Sequence, residues 1–114
     1  MARAIQFYRT SSGKCPVEKF LDSLSGKAAQ KVTWVLKIIE ELDAIPEQYL
    51  KKLTSEIWEC RIQFGGNIFR VLCFFDGADV VLTHGFQKKT QKTPKNEIEK
   101  AKSHRIDYLQ RRTK

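Results

Sequence analysis

The stretch IWECRIQFGGNIFRVLCFFDGADVVLTHGFQ, residues 57–87, decides the fold. It holds three runs rich in β-branched and aromatic residues, 57–64, 68–75 and 79–87, separated by GGN and DGA. Both interruptions are hairpin signals, because tight two-residue turns need the positive φ that glycine reaches without steric cost. The reading is an antiparallel meander. Side chains alternate across a strand, so Trp58, Cys60, Ile62 and Phe64 share one face while Glu59, Arg61 and Gln63 share the other. A two-residue turn within GGN keeps Phe69, Val71, Cys73 and Phe75 on the face of Trp58 and brings Arg70 beside Arg61. A three-residue loop without a bulge reverses that parity and drives the Arg70 guanidinium into the core, at high cost. The hydrophobic pattern therefore selects the even loop. The same count across a Gly77-Ala78 turn places Gly85 next to Arg70, leaving a hollow there, with Thr83, Gln87 and Lys89 on the polar face.

Upstream of the meander, Ile5 and Phe7 alternate with Gln6 and Tyr8, the period of a half-buried strand over 2–9. Pro16 suits a first helical turn, and Val17, Phe20, Leu21 and Leu24 continue at helical spacing over 16–25. From Lys27 to Asp43, Ala28, Val32, Val35, Leu36, Ile39 and Leu42 form a second apolar stripe, stopped by Pro46. EQYLKKLTSE reads as a basic connector. Downstream, Thr93 is placed to cap a mostly polar surface helix starting at Pro94, with Ile98, Ala101, Arg105 and Leu109 along one side. The order strand, helix, helix, three strands, helix predicts an α+β domain with a small, mainly antiparallel sheet, helices covering one face. At 114 residues the chain is long enough for one domain, 1–114, and too short for two.

The formal net charge of +8 favours an anionic partner, although a basic balance also fits a soluble domain without one. No apolar run approaches the roughly 20 residues of a membrane helix, and the first residues lack a signal-peptide core, so a cytoplasmic protein is expected. Cys15, Cys60 and Cys73 are odd in number and without CxxC spacing, which points to buried thiols and to neither a disulfide framework nor a metal site. The polar face of the meander is the informative feature. It gathers Glu59, Arg61, Gln63, Arg70, Thr83, Gln87 and Lys89, with the apolar trio Leu72, Phe74 and Val81 towards its other end. Two planar guanidinium forks and a mobile ammonium around a hollow suit a phosphodiester. The alternative is a solvated face on which Arg61 and Glu59 merely pair.

The block IWECRIQFGGNIFRVLCFFDGADVVLTHGFQKKTQKTPKNEIEKAKSHRIDY, residues 57–108, resembles the RelE/ParE superfamily of toxins from type II toxin-antitoxin modules, in its phage-derived, HigB-like branch. The N-terminal segments FY and PVEKFLDSL fit the same branch. The resemblance implies a RelE-like fold and a metal-independent, cofactor-free endoribonuclease that enters the ribosomal A site and cleaves messenger RNA. The nucleophile there is the substrate's own 2′-OH. It implies a cognate antitoxin, commonly of helix-turn-helix type, in a heteromeric complex. Carried over by position, Arg70 stabilises charge on the scissile phosphate, Arg61 positions the backbone, and Lys88 or Lys89 supplies the basic group ending the last strand. Alternation favours Lys89. Gln63, Gln87 and Thr83 are then RNA contacts.

Proton transfer is less defined. Glu59, Tyr8 and His84 are the candidates for acid or base, although parity with Val80 and Leu82 makes His84 a buried residue, and His104 lies on a solvated helix. Two rival readings stand beside the nuclease: a ParE-like toxin directed at DNA gyrase, and a non-catalytic RNA-binding or phage regulatory module. The basic face and the trio Leu72, Phe74 and Val81 together suggest docking of an acidic, amphipathic partner.

Overall fold

The computed structural model describes residues 3–90 and 92–112. Its elements run β1 (Ala4–Phe7), α1 (Pro16–Asp22), α2 (Gly26–Glu41), β2 (Leu50–Lys52), β3 (Trp58–Phe64), β4 (Asn67–Asp76), β5 (Asp79–Lys88) and α3 (Lys95–Arg112). The five strands form one sheet in the order β1-β5-β4-β3-β2, antiparallel except for the parallel β1–β5 pair. This is the α+β class expected from the sequence, with two additions: a short strand within the basic connector, and a helix on the second face.

Local chemistry accounts for the helices. α1 starts on Pro16, whose missing N–H costs nothing in a first turn, and buries Val17 and Phe20. It ends at Asp22, earlier than the apolar spacing suggests, because Ser25 begins the next helix: its side chain accepts a hydrogen bond from the Ala28 N–H at 3.2 Å. α2 buries Ala28, Val32, Val35, Leu36 and Ile39, whereas Leu42 lies at the helix end and is exposed. β2 was hidden by its length. Leu50 is buried opposite Cys60, and Lys51 stands opposite Glu59.

The two hairpins behave differently. Gly65 and Gly66 both have positive φ, 59° and 80°, and join the paired residues Phe64 and Asn67, so the turn has two residues and the parity of β3 and β4 holds. Arg61 and Arg70 are direct cross-strand partners. The second turn also has two residues, Gly77 and Ala78, joining Asp76 to Asp79. Beyond it the register shifts: Cys73 pairs with Leu82 but Leu72 pairs with His84, leaving Thr83 as a bulge. Every residue after Thr83 changes face. Gly85 is therefore opposite Val71, not Arg70, and a Cβ on it would lie within 2.6 Å of Phe20 Cγ. The glycine admits the α1 aromatic ring; it does not make a hollow beside the arginine.

Both faces of the sheet carry cores. α1 and α2 cover one, with Val17, Val32, Val35, Ile39, Cys60, Val71, Cys73 and Leu82 at its centre. On the other, α3 lays Ala101, Ile98 and Tyr108 over Leu72, Phe74, Val81, Ile57 and Tyr8. The trio Leu72, Phe74 and Val81 is thus fully buried and gives a partner nothing to dock on. α3 is polar overall, yet its few apolar residues suffice for this contact. Cys60 and Cys73 are diagonal neighbours, with buried free thiols 3.8 Å apart. The Cys60 contact and burial push the Cys73 thiol above its ordinary range. Among the described residues, no helix is long and apolar enough to cross a membrane.

Candidate nucleic-acid interface

Register turns the second sheet face into rows of lateral neighbours. Lys51, Glu59, Leu72 and His84 make the first row, Arg61, Arg70 and Phe86 the second, and Gln63, Ile68 and Lys88 the third. α3 begins over the first row and runs away from the other two, which leaves the second and third open towards solvent. A hollow of about 220 Å³ is lined there by Gln48, Arg61, Gln63, Ile68 and Arg70.

Glu59 organises this ground. It is 2% exposed. Its Oε1 accepts a hydrogen bond from Thr93 Oγ1 at 2.6 Å and lies 3.4 Å from Arg70 Nε, while Oε2 lies 3.5 Å from Arg61 Nε. Directly opposed like charges are destabilising on a sheet by up to about 1 kcal/mol, and the carboxylate between the two arginines offsets that repulsion. Arg70 is 6% exposed, so the expectation of an openly solvated guanidinium is corrected: it is buried beside its counter-charge. Its Nη1 donates to the Phe69 carbonyl at 3.0 Å, and its buried Nε has no hydrogen-bond partner. Burial holds the Arg70 pKa below its ordinary value, and Glu59 opposes the shift.

The bulge decides which lysine joins. Lys88 shares the face of Arg70, and its pKa is lowered first by burial and then by the charge of Arg70. Lys89 lies past the strand end at an exposed position, so the preference for it by alternation is corrected in favour of Lys88. Gln87 is likewise moved off this face. It pairs with Phe69, and its Nε2 donates to Asn67 Oδ1 at 3.1 Å. Thr83 has no exposed surface; its hydroxyl donates to the Leu72 carbonyl at 3.1 Å. It cannot touch a ligand, because the bulge turns it into the sheet. Gln63 stays at the hollow as expected.

His84 is buried, as its sequence parity suggested, but on the other face, and it anchors the start of α3. Its Nδ1 lies 3.0 Å from Thr83 Oγ1 and its Nε2 2.9 Å from Glu97 Oε1. Burial lowers its pKa to about 4, so the imidazole is neutral at pH 7 and has no proton to give as an imidazolium. Tyr8 stands on the far side of β5, its ring stacked on His104 at 4.5 Å and its hydroxyl donating to Asp107 Oδ2 at 2.6 Å. Burial, then the Asp107 contact, raises its pKa. Neither Tyr8 nor His84 lies in the rows of Arg70 and Lys88. Burial also lowers the His104 pKa.

Sequence reasoning missed Lys51 and Thr93. Lys51 sits on a three-residue strand too short to show a period. Thr93 has the look of a helix cap, but its hydroxyl goes to Glu59. Among the described residues no three His, Cys, Asp or Glu side chains come together as a metal site.

A family model described as "Phage derived protein Gp49-like (DUF891)" matches residues 19–105, a range that contains Lys51, Glu59, Arg61, Arg70, Lys88 and Thr93. No curated protein matches the chain in sequence.

Proposed function

The chain belongs to the phage-derived Gp49-like family, and from that premise we propose that it is the toxin of a type II toxin-antitoxin pair, of RelE/HigB-like type, acting as a ribosome-dependent messenger-RNA endonuclease. The observation that carries this reading is the pairing of Arg61 with Arg70, beside Lys88, on the part of the sheet face that α3 leaves open. In-line attack by a ribose 2′-OH builds negative charge on the non-bridging phosphate oxygens. Cations held in place beforehand stabilise that charge without reorganising. Arg70, fixed by Phe69 and Glu59, is the positioned group; Arg61, more exposed, holds the adjoining backbone. Lys88, with its lowered pKa, is the proton donor to the leaving 5′ oxygen. The reaction needs no metal and no cofactor, and the site of action is the ribosomal A site in the cytoplasm.

A protein with formal charge +8 is matched by an acidic antitoxin, here one with a helix-turn-helix domain, in a heteromeric complex. The apolar part of that contact lies elsewhere than on Leu72, Phe74 and Val81, which α3 already covers.

The test is growth after tight induction in a bacterial host, with RNA ends mapped for the wild type, Arg61→Ala and Arg70→Lys. Arrest with new ends inside translated messages for the wild type, reduced in both variants, is the expected result. Arrest without new RNA ends transfers the target to DNA gyrase. No arrest, with RNA binding retained, leaves a non-catalytic binding module.

A further inference from the structure

Glu59 stands where the phosphate of the proposed substrate has to approach. Thr93, Arg70 and Arg61 hold the carboxylate, Lys51 faces it from β2, and Lys88 lies within range of the same cluster. Four cations and a hydroxyl thus converge on one buried side chain. The hold is incomplete. The two arginine contacts, 3.4 and 3.5 Å, are longer than the roughly 2.7–2.9 Å of a well-formed charge-assisted hydrogen bond, and Arg70 Nε is left without a partner. The site therefore keeps unused donor capacity behind a charge of the same sign as its ligand.

That arrangement discriminates between anions. A free phosphate or a mononucleotide brings its charge up against Glu59 and gains from only one or two cations. A strand with several phosphates engages Arg61, Arg70, Lys88 and Lys51 together, and each neutralised phosphate adds counterion release. We infer that Glu59 is a specificity-determining residue that makes this site select a polyanionic strand over a lone phosphate. The inference rests on the nucleic-acid reading of the site given above.

The experiment measures two ligands. A short 2′-O-methyl oligoribonucleotide, which lacks the nucleophile, is titrated by fluorescence anisotropy, and inorganic phosphate by amide chemical shifts. The proteins are the wild type, Arg61→Ala, Glu59→Gln and Glu59→Asp. Glu59→Gln is expected to bind inorganic phosphate at least about tenfold more tightly than the wild type, because a unit charge at contact distance is removed. Its oligonucleotide affinity rises less, so the preference for the strand falls. Glu59→Asp, which keeps the charge but withdraws it by one methylene, gives an intermediate shift and serves if Glu59→Gln does not fold. Unchanged or weaker phosphate binding by the folded Glu59 variants, with oligonucleotide binding still dependent on Arg61, overturns the role of Glu59 alone. Oligonucleotide binding indifferent to Arg61→Ala overturns the nucleic-acid site and this inference with it.

Discussion

Arg61 and Arg70 stand directly opposite each other on β3 and β4, two like charges whose proximity is made tolerable by the Glu59 carboxylate between them. The two arginines are not equivalent, since Arg70 is buried and Arg61 is partly exposed. Removing Arg70 strips a buried carboxylate of one partner; removing Arg61 also removes a repulsion.

Arg70→Ala is accordingly expected to lower stability by about 3 kcal/mol, the lower end for breaking a buried pair, because Glu59 keeps Arg61 and Thr93. Arg61→Ala is expected to change it by less than about 1 kcal/mol. Urea unfolding of both variants checks the difference. Equal losses would mean that Arg70 is not the structural member of the pair. The activity of an Arg70→Ala protein is interpretable only beside that measurement.

The ionisation of His84 makes stability depend on pH in a defined direction. Its folded pKa, about 4, lies below the ordinary value of 6.5, so between these limits the unfolded chain binds a proton that the folded chain refuses. Stability from this group is complete above about pH 6.5 and is lost as pH falls towards 4, on a scale of about 3 kcal/mol. His84→Gln should flatten that part of the profile. A slope unchanged in His84→Gln would assign it to other groups.

Gly85→Ala tests the close approach of α1 to β5. A Cβ there meets the Phe20 ring at 2.6 Å, so the ring or the strand has to move, at about 1–3 kcal/mol. In a double-mutant cycle, Phe20→Leu should absorb a large part of that loss, because the two sites are in contact. Strict additivity in thermal unfolding would separate them.

Lys88 and Lys89 are adjacent in sequence and separated by the parity of the bulge. Under the nuclease reading, Lys88→Ala should slow cleavage in a purified translation system by about a hundredfold or more, the scale of one positioned proton donor. Lys89→Ala should alter it by less than about twofold, as an exposed charge outside the rows of Arg70. The reverse order would place the strand end on the other face.

The glycines and the apolar alternation of 57–75 determined much of this protein by themselves. Gly65-Gly66 fixes a two-residue turn, the turn fixes parity, and parity sets Arg61 beside Arg70. Helices α1 and α2 were legible for a similar reason: their caps, prolines and stripes are local. Three features needed the tertiary structure. Nothing in the period of 79–88 marks Thr83 as the extra residue, because the bulge arises from how β5 registers on β4 and from the hydroxyl that bonds Leu72. β2 exists because Leu50 finds a place against Cys60, and three residues carry no period of their own. α3 closes over Leu72, Phe74 and Val81 although its composition is that of a surface helix, since burial is a property of the pair of faces that meet. Together these decided that Lys88 and Thr93 join Arg61, Arg70 and Glu59, and that Thr83, Gln87 and Lys89 do not: alternation along one strand is local, but the face it addresses is set by the neighbouring strand and by what packs on it.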